Sequence, residues 1–516
     1  MSGEKGGDGS AGRRARPAIT LVVLVVCVAA LMLTVGIPAP ASAHAAGTRA
    51  GANGGHHTIV VLPTGSDDTA RIQAAFNTCT SHGWTCTIQL VKGTYHTSQI
   101  AVTGFQGSFV GAGQGSTVVL GNPNLASPTA DPFWSALPGP ENPWPAIFTF
   151  VNGNFWISGM TISDTHPYPT MGWDWPGVGT VTALWSWVLI TGTQAYVSIS
   201  HLTAIGGSGD QGPYPGNSDT FNNINGITFE GMLLPNGYED VYADQIPLSG
   251  SFSLTSSTLQ WAATAVWVEN VLEATATICF NSIQTAGTGF WDISASQLRY
   301  CGNVVTNVVS EDVLGIYGIQ SMHKTNLLPS TVSVVGNYFA VNTGGGGLGF
   351  FDLGPADGVA STLSVVVTGN TVVADTTCAT CWPDGSIVGI LGYALVNFVA
   401  SYNVVTASPN AVGFGIGVNN YYGGVGTGGG AIVGNYVTGV NNSTSLVGAN
   451  GFSVVGNTIK NSGAYGIMVW YGSSNIVVAY NLVKNSGVDD LYWDQTGSND
   501  LWYENIYATS NPATLP

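Results

Sequence analysis

The sequence predicts an all-β solenoid of stacked coils with parallel strands, closed at its start by one short helix. Three observations predict it. Asparagine recurs behind short β-branched runs at a near-constant step. The runs between are rich in Val, Ile, Thr and Tyr and are bounded by Gly, Asn and Ser, as strands are. Charged residues make up only 8% of the 516, while 71 are Gly. A chain so poor in charge, with 45% apolar residues, is not a self-repelling disordered coil.

The clearest Asn segments are Val334-Val335-Gly336-Asn337, Val367-Thr368-Gly369-Asn370, Ile432-Val433-Gly434-Asn435 and Val454-Val455-Gly456-Asn457. Variants end at Asn281, Asn303, Asn403 and Asn481, and successive Asn differ by 22, 34, 33, 33, 32, 22 and 24 residues. A period of 22 to 24, stretched by inserted loops, is the signature of a repeat fold. One such period holds three short strands and three turns, and each strand pairs with its copy about 4.8 Å away. Asn suits the recurring turn because it tolerates positive φ and its amide bonds neighbouring backbone. Stacked from coil to coil, these amides can also bond one another. Phe155–Ser158, Tyr196–Ile199 and Gly226–Phe229 read as earlier strands.

Upstream, Pro63-Thr64-Gly65-Ser66-Asp67-Asp68 reads as a turn and an acidic N-cap. The following helix has Ile72, Ala75 and Phe76 on one face. Its assigned role is to cover the first coil, whose strand edges invite association if bare. Asp67 and Asp68 are read as caps, not catalytic acids. Cys279 and Cys301 each stand two residues before an Asn and are 22 apart. They therefore occupy one place in adjacent coils, near 5 Å apart, as a disulfide or as a reduced buried stack. Cys378-Ala379-Thr380-Cys381 reads as a strapped loop rather than a zinc site, and no metal site is assigned.

Residues 1–43 read as a signal peptide: Arg13, Arg14 and Arg16 precede an apolar run, then Ala41-Ser42-Ala43. An uncleaved anchor is the alternative. Residues 44–57 follow as a flexible mature N-terminus, 58–510 as the coil domain and 511–516 as a tail. The expected location is secreted or cell-surface, with no membrane contact after cleavage. The whole chain carries −17; the first 43 residues contribute +2, so the remainder carries −19. That balance excludes nucleic acid as a partner. A monomer is expected.

Residues 59–120, from PTGSDDTARIQAAF through VKGTYHTSQIAV to GSFVGAGQGSTVVL, resemble the N-terminal cap of the pectate-lyase superfamily. More narrowly, they resemble domains related to family 28 glycoside hydrolases. The resemblance implies a single-stranded right-handed parallel β-helix. It does not name the chemistry, since the scaffold carries lyases, hydrolases, epimerases and adhesins. Polygalacturonases of the family carry Asn-Thr-Asp, a following Asp pair, Gly-His-Gly and Arg-Ile-Lys. Asn217-Ser218-Asp219 is faintly similar to the first, but the last two are missing, and Asp489-Asp490 comes too late for the second. That activity is not carried over. A lyase would need a base, for which His323 and Lys324 are the basic pair of the middle coils, and calcium to neutralise a uronate. Otherwise no cofactor is implied.

Aligning the coils on their central strands superposes Trp267, Trp291 and Tyr317, one residue after the inward Val266, Phe290 and Ile316. Three rings on one outer face suit a sugar chain. The loops Asp131–Trp144 and Asp164–Trp187 add Trp173 and Trp175, among others. Glu269 and Asp292 lie beside the column and form the expected carboxylate pair, since one-coil and two-coil separations bracket glycosidase geometries. Glu230, Glu239 and Asp240 are placed in an inserted loop. The expectation is a β-helix acting on polysaccharide, as glycoside hydrolase or polysaccharide lyase. The alternatives are a non-catalytic, adhesive glycan-binding β-helix and a purely structural solenoid with the column buried under loops.

Overall fold

The computed structural model describes residues 55–121, 146–163, 172–175, 179–182, 186–191, 196–205, 218–221, 226–230, 233–235, 239–244, 251–260, 264–269, 275–284, 288–292, 297–308, 312–317, 330–341, 346–351, 363–374, 387–419 and 428–515. Residues 1–43, expected as a signal segment, the Cys378–Cys381 stretch and the His323–Lys324 pair lie outside the described residues.

Among the described residues one helix, Thr69–His82, stands at the start, and the other elements are strands. The strands of the large sheet pair in parallel with their counterparts one coil on, as Leu363–Thr368 does with Asn397–Ser401 and Thr371–Ala374 with the start of Val404–Asn419. The fold is a right-handed parallel β-helix, the hand that parallel crossovers adopt. Three faces result. The first holds the strand before each Asn (Leu363–Thr368), the second the short strand after it (Thr371–Ala374), and the third the next (Ile387–Tyr393). Alternate residues point inward, so Leu363, Val365 and Val367 are buried while Ser364, Val366 and Thr368 are half-exposed.

The Asn file runs the length of the described C-terminal coils: Asn281, Asn303, Asn337, Asn370, Asn403, Asn435, Asn457, Asn481 and Asn505. From Asn303 on, each Oδ1 accepts both the backbone N–H and the Nδ2–H of the Asn one coil earlier, at 2.8–3.0 Å. Each Nδ2 also donates to a first-face carbonyl; that of Asn403 reaches Val367 at 2.9 Å. Ser257 begins the file, its N–H donating to Asn281.

Positive φ falls not on the Asn, as expected from its tolerance, but on the residue before it: Gly302, Gly336, Gly369, Gly434 and Gly456, with Phe280, Tyr402 and Tyr480 in the same place. Glycine reaches that conformation at little cost, so the Gly supplies the turn and the Asn supplies the amide.

At the entrance, Ile72, Ala75 and Phe76 are buried, and the Phe76 ring lies 5.0, 5.1 and 5.6 Å from Phe105, Phe109 and Phe150. The helix plugs the coil as assigned. The acidic pair divides its work: Asp67 accepts the Thr69 N–H at 2.8 Å, capping the first turn. Asp68 is fully buried and makes no side-chain cap bond; it accepts from Thr64 N–H and His96 N–H instead. Cys279 and Cys301 are register partners joined by a disulfide, Cα to Cα 4.6 Å, and Cys79–Cys86 ties the helix to the strand Thr85–Leu90.

Replacing Asn403 with Ala removes the acceptor of the Asn370 N–H and of one of its amide hydrogen bonds, and the side-chain donor to the Val367 carbonyl, inside the wall. A loss of roughly 3 kcal/mol is expected, read as a lowered urea midpoint. Non-reducing peptide mapping should recover Cys279 linked to Cys301 and Cys79 linked to Cys86.

Candidate functional site

The third face carries the chemistry-bearing residues, and its register decides which of them are neighbours. Trp267 pairs with Trp291 as expected, and Tyr242 precedes them in the same row. Tyr317 does not continue that row. Gly315 lies beside Trp291, and Tyr317 stands two residues further along, in a row with Phe351 and Tyr393. The step from Trp267 to Trp291 to Gly315 is a constant 24; the extra residues of this coil follow the strand, in 318–329.

The Glu269–Asp292 pairing is likewise corrected. Asp292 is the register partner of Val268, and Glu269 that of Asp244. The two acids are 23 residues apart on a 24-residue step. Because a strand has period two, a one-residue offset assigns them to alternating rows. Asp292 shares its row with Val268 and Ile316.

A different set of acids comes together. Glu239 and Asp240 belong to a third-face strand, Glu239–Asp244, not to an inserted loop. One coil earlier, Asp219 in the strand Ser218–Phe221 pairs with Tyr242; one coil later, Asp244 pairs with Glu269. Asp219, Asp244 and Glu269 thus hold positions in three successive coils, Asp244 and Glu269 as direct neighbours. Parallel neighbours stand about 4.8 Å apart. Asp219 is one coil and two residues from Asp244, which is about 8 Å on the sheet lattice. The aromatic positions run on from this group: Tyr242, Trp267 and Trp291 in one row, then Tyr317, Phe351 and Tyr393 in the adjoining one.

Elsewhere the outer side of this face is enclosed. Thr149, Leu391, Ser445 and Met468 continue the Trp267 row and are all buried, whereas Tyr492 at its end is half-exposed. Burial also raises Tyr393 above the ordinary phenol range. At those coils the face is therefore covered rather than an open plate.

The remaining candidates are dispersed. Trp173 and Trp175 sit in an antiparallel pair, Gly172–Trp175 with Gly179–Thr182, outside the stacked faces. The Asp489-Asp490 doublet is structural in its second member. Asp490 is buried and accepts from Ser486 N–H at 3.1 Å and Ala508 N–H at 2.8 Å. Partial burial, then the neighbouring Asp490 charge, holds Asp489 above the usual carboxylate range. Among the described residues no group of three His, Cys, Asp or Glu could hold a metal ion.

The register has a direct test. The double variant Asp244→Cys, Glu269→Cys should form an additional disulfide on oxidation, as the register pair Cys279–Cys301 does. The double variant Glu269→Cys, Asp292→Cys should keep two extra free thiols. Thiol counting after denaturation distinguishes the two.

No protein-family model matches this sequence, and no curated protein matches it. Among solved structures, the chain is similar to the mannuronan C-5 epimerase A-module of Azotobacter vinelandii, at 14% identity and a TM-score of 0.40 over 87% of this chain and 96% of that one. It is also similar to the polygalacturonase of Erwinia carotovora, at 11% identity and 0.28 over 88% and 94%. The surface adhesin PfbA of Streptococcus pneumoniae aligns at 11% identity and 0.30 over 87% and 91%. The likeness is one of fold.

Proposed function

We propose that this chain is an exported glycoside hydrolase acting on an uncharged or weakly charged polysaccharide, with Asp244 and Glu269 as its working carboxylates. The observation that carries the reading is their direct register pairing, flanked by Asp219 one coil earlier and by the aromatic positions Tyr242, Trp267 and Trp291 in the adjoining row. Glycosidases need two carboxyl groups on opposite sides of one bond, about 5–5.5 Å apart for retention and about 6.5–9.5 Å for inversion. Neighbouring coils supply the shorter separation, so the pair is assigned to a retaining mechanism. Glu269 protonates the leaving oxygen, and Asp244 attacks the anomeric carbon to form a glycosyl ester. Glu269 then takes a proton from the water that hydrolyses that ester. Asp219, at the longer separation, orients the sugar. The rings offer apolar sugar faces a surface on which to lie. Two disulfides agree with export to an oxidising compartment.

A screen against neutral and uronic polysaccharides, with and without calcium, should yield reducing ends without unsaturated products. Asp244→Asn and Glu269→Gln should each lower turnover by about 10²–10⁴-fold, and Asp292→Asn by no more than a few-fold. Undiminished hydrolysis in the first two variants would sink the assignment. Calcium-dependent unsaturated products would transfer the chemistry to a lyase using His323 or Lys324. Retention of polymer without any cleavage would leave the non-catalytic binder.

A further inference from the structure

The corner that holds the Asn file shows an arrangement the hydrolase reading does not use. The residue before each Asn adopts a left-handed conformation, and five coils place Gly there. Three others place an aromatic residue there: Phe280 at φ 62°, Tyr402 at φ 54° and Tyr480 at φ 58°. A bulky residue in that region costs about 1–3 kcal/mol, and these rings recover little of it by burial. They are 69%, 61% and 43% exposed, among the most exposed large apolar side chains of the described residues.

The next coil makes room for two of them. A Cβ at Gly302 would come within 2.8 Å of the Phe280 ring, and one at Gly434 within 2.8 Å of the Tyr402 ring. The coil does not need a ring there to shield its backbone. At Gly336, Gly369 and Gly456 the same space holds no atom within 4 Å of where a Cβ would stand. The rings are an addition that stability alone does not select.

Beside them, the outward row just after the Asn adds Tyr338, 40% exposed, and Tyr436, with the Lys460 Nζ 5.7 Å from its ring centroid. Tyr503 closes the series against Tyr480, centroids 5.6 Å apart. From Phe280 to Tyr480 the series spans seven coil steps, about 34 Å. Along this corner and the second face, the charged residues among those described are Lys460, Lys484 and Glu504, so the strip is close to neutral on a strongly acidic chain.

We propose that this corner is a second carbohydrate-binding strip, separate from the third face, which holds an extended uncharged or weakly acidic polysaccharide along the coil axis. The three rings stand four and three coil steps apart, with the bare Gly336, Gly369 and Gly456 between them, so the surface is a ridge of isolated platforms. A protein partner fits a contiguous, well-packed apolar core instead; a polymer with repeating apolar sugar faces and hydroxyl edges fits the spaced rings. The strip shares with the hydrolase reading only the class of ligand.

Affinity electrophoresis of the full chain in gels containing starch, xylan, β-glucan, mannan, alginate or polygalacturonate tests it without relying on turnover. At least one gel should retard the chain. The triple variant Phe280→Gly, Tyr402→Gly, Tyr480→Gly should bind that polymer about tenfold more weakly while its thermal midpoint holds or rises, since the left-handed strain is relieved. Glu269→Gln should be retarded like the parent. Retardation unchanged in the triple variant, or no retardation of the parent in any gel, overturns the strip. Loss of hydrolysis with retardation intact would overturn neither the strip nor its independence from the third face.

Discussion

A buried amide that must find its partner one coil away is the constraint on which this molecule depends. Each Asn of the file gives two hydrogens to the next Oδ1 and one to a first-face carbonyl. No water reaches Asn403, Asn435 or Asn457 to compensate a slip, because each is almost wholly buried. A register error would leave several polar groups unsatisfied at once, each at a cost of about 1–3 kcal/mol. The file therefore sets the alignment of the coils, and through it the neighbours on the third face. Asp244 meets Glu269 because the corner is locked, not because the two attract.

The parts of the fold that obey a local rule were legible in the residues. The Asn period announced the file, the spacing of Ile72, Ala75 and Phe76 announced the plug, and the 22-residue separation of Cys279 and Cys301 announced that they are neighbours in adjacent coils. The site was less legible because it depends on register far from the Asn, after a turn of variable length. An error of one residue put Asp292 beside Glu269, and an error of two put Tyr317 above Trp291. Glu239–Asp244 escaped notice as a strand because no Gly-Asn marks its coil, and the Asp219 segment was set aside with the motif it only half matched. The left-handed residue was assigned one place too late, since Gly-Asn hides which of the two carries the turn and which the hydrogen bonds.

The faces of the prism differ in what they expose. The interior is filled by Val, Ile, Leu and Phe contributed by all three. The outer side of the third face is enclosed at several coils, where charges would interact more strongly than in water. The Asn corner is the opposite, with its polar groups hidden within and its rings turned out. Low charge elsewhere leaves the carboxylate group without nearby cations in the described strands.

The hydrogen-bonded file is indifferent to contour length. Asn281 and Asn303 are linked by 22 intervening steps of chain, Asn303 and Asn337 by 34, yet both pairs bond at 2.9 and 2.8 Å through the backbone N–H. Extra chain between rungs leaves the axial repeat untouched. A lineage of such chains could thus exchange what borders its third face by insertion and deletion, one coil at a time, while the floor beneath keeps its coordinates.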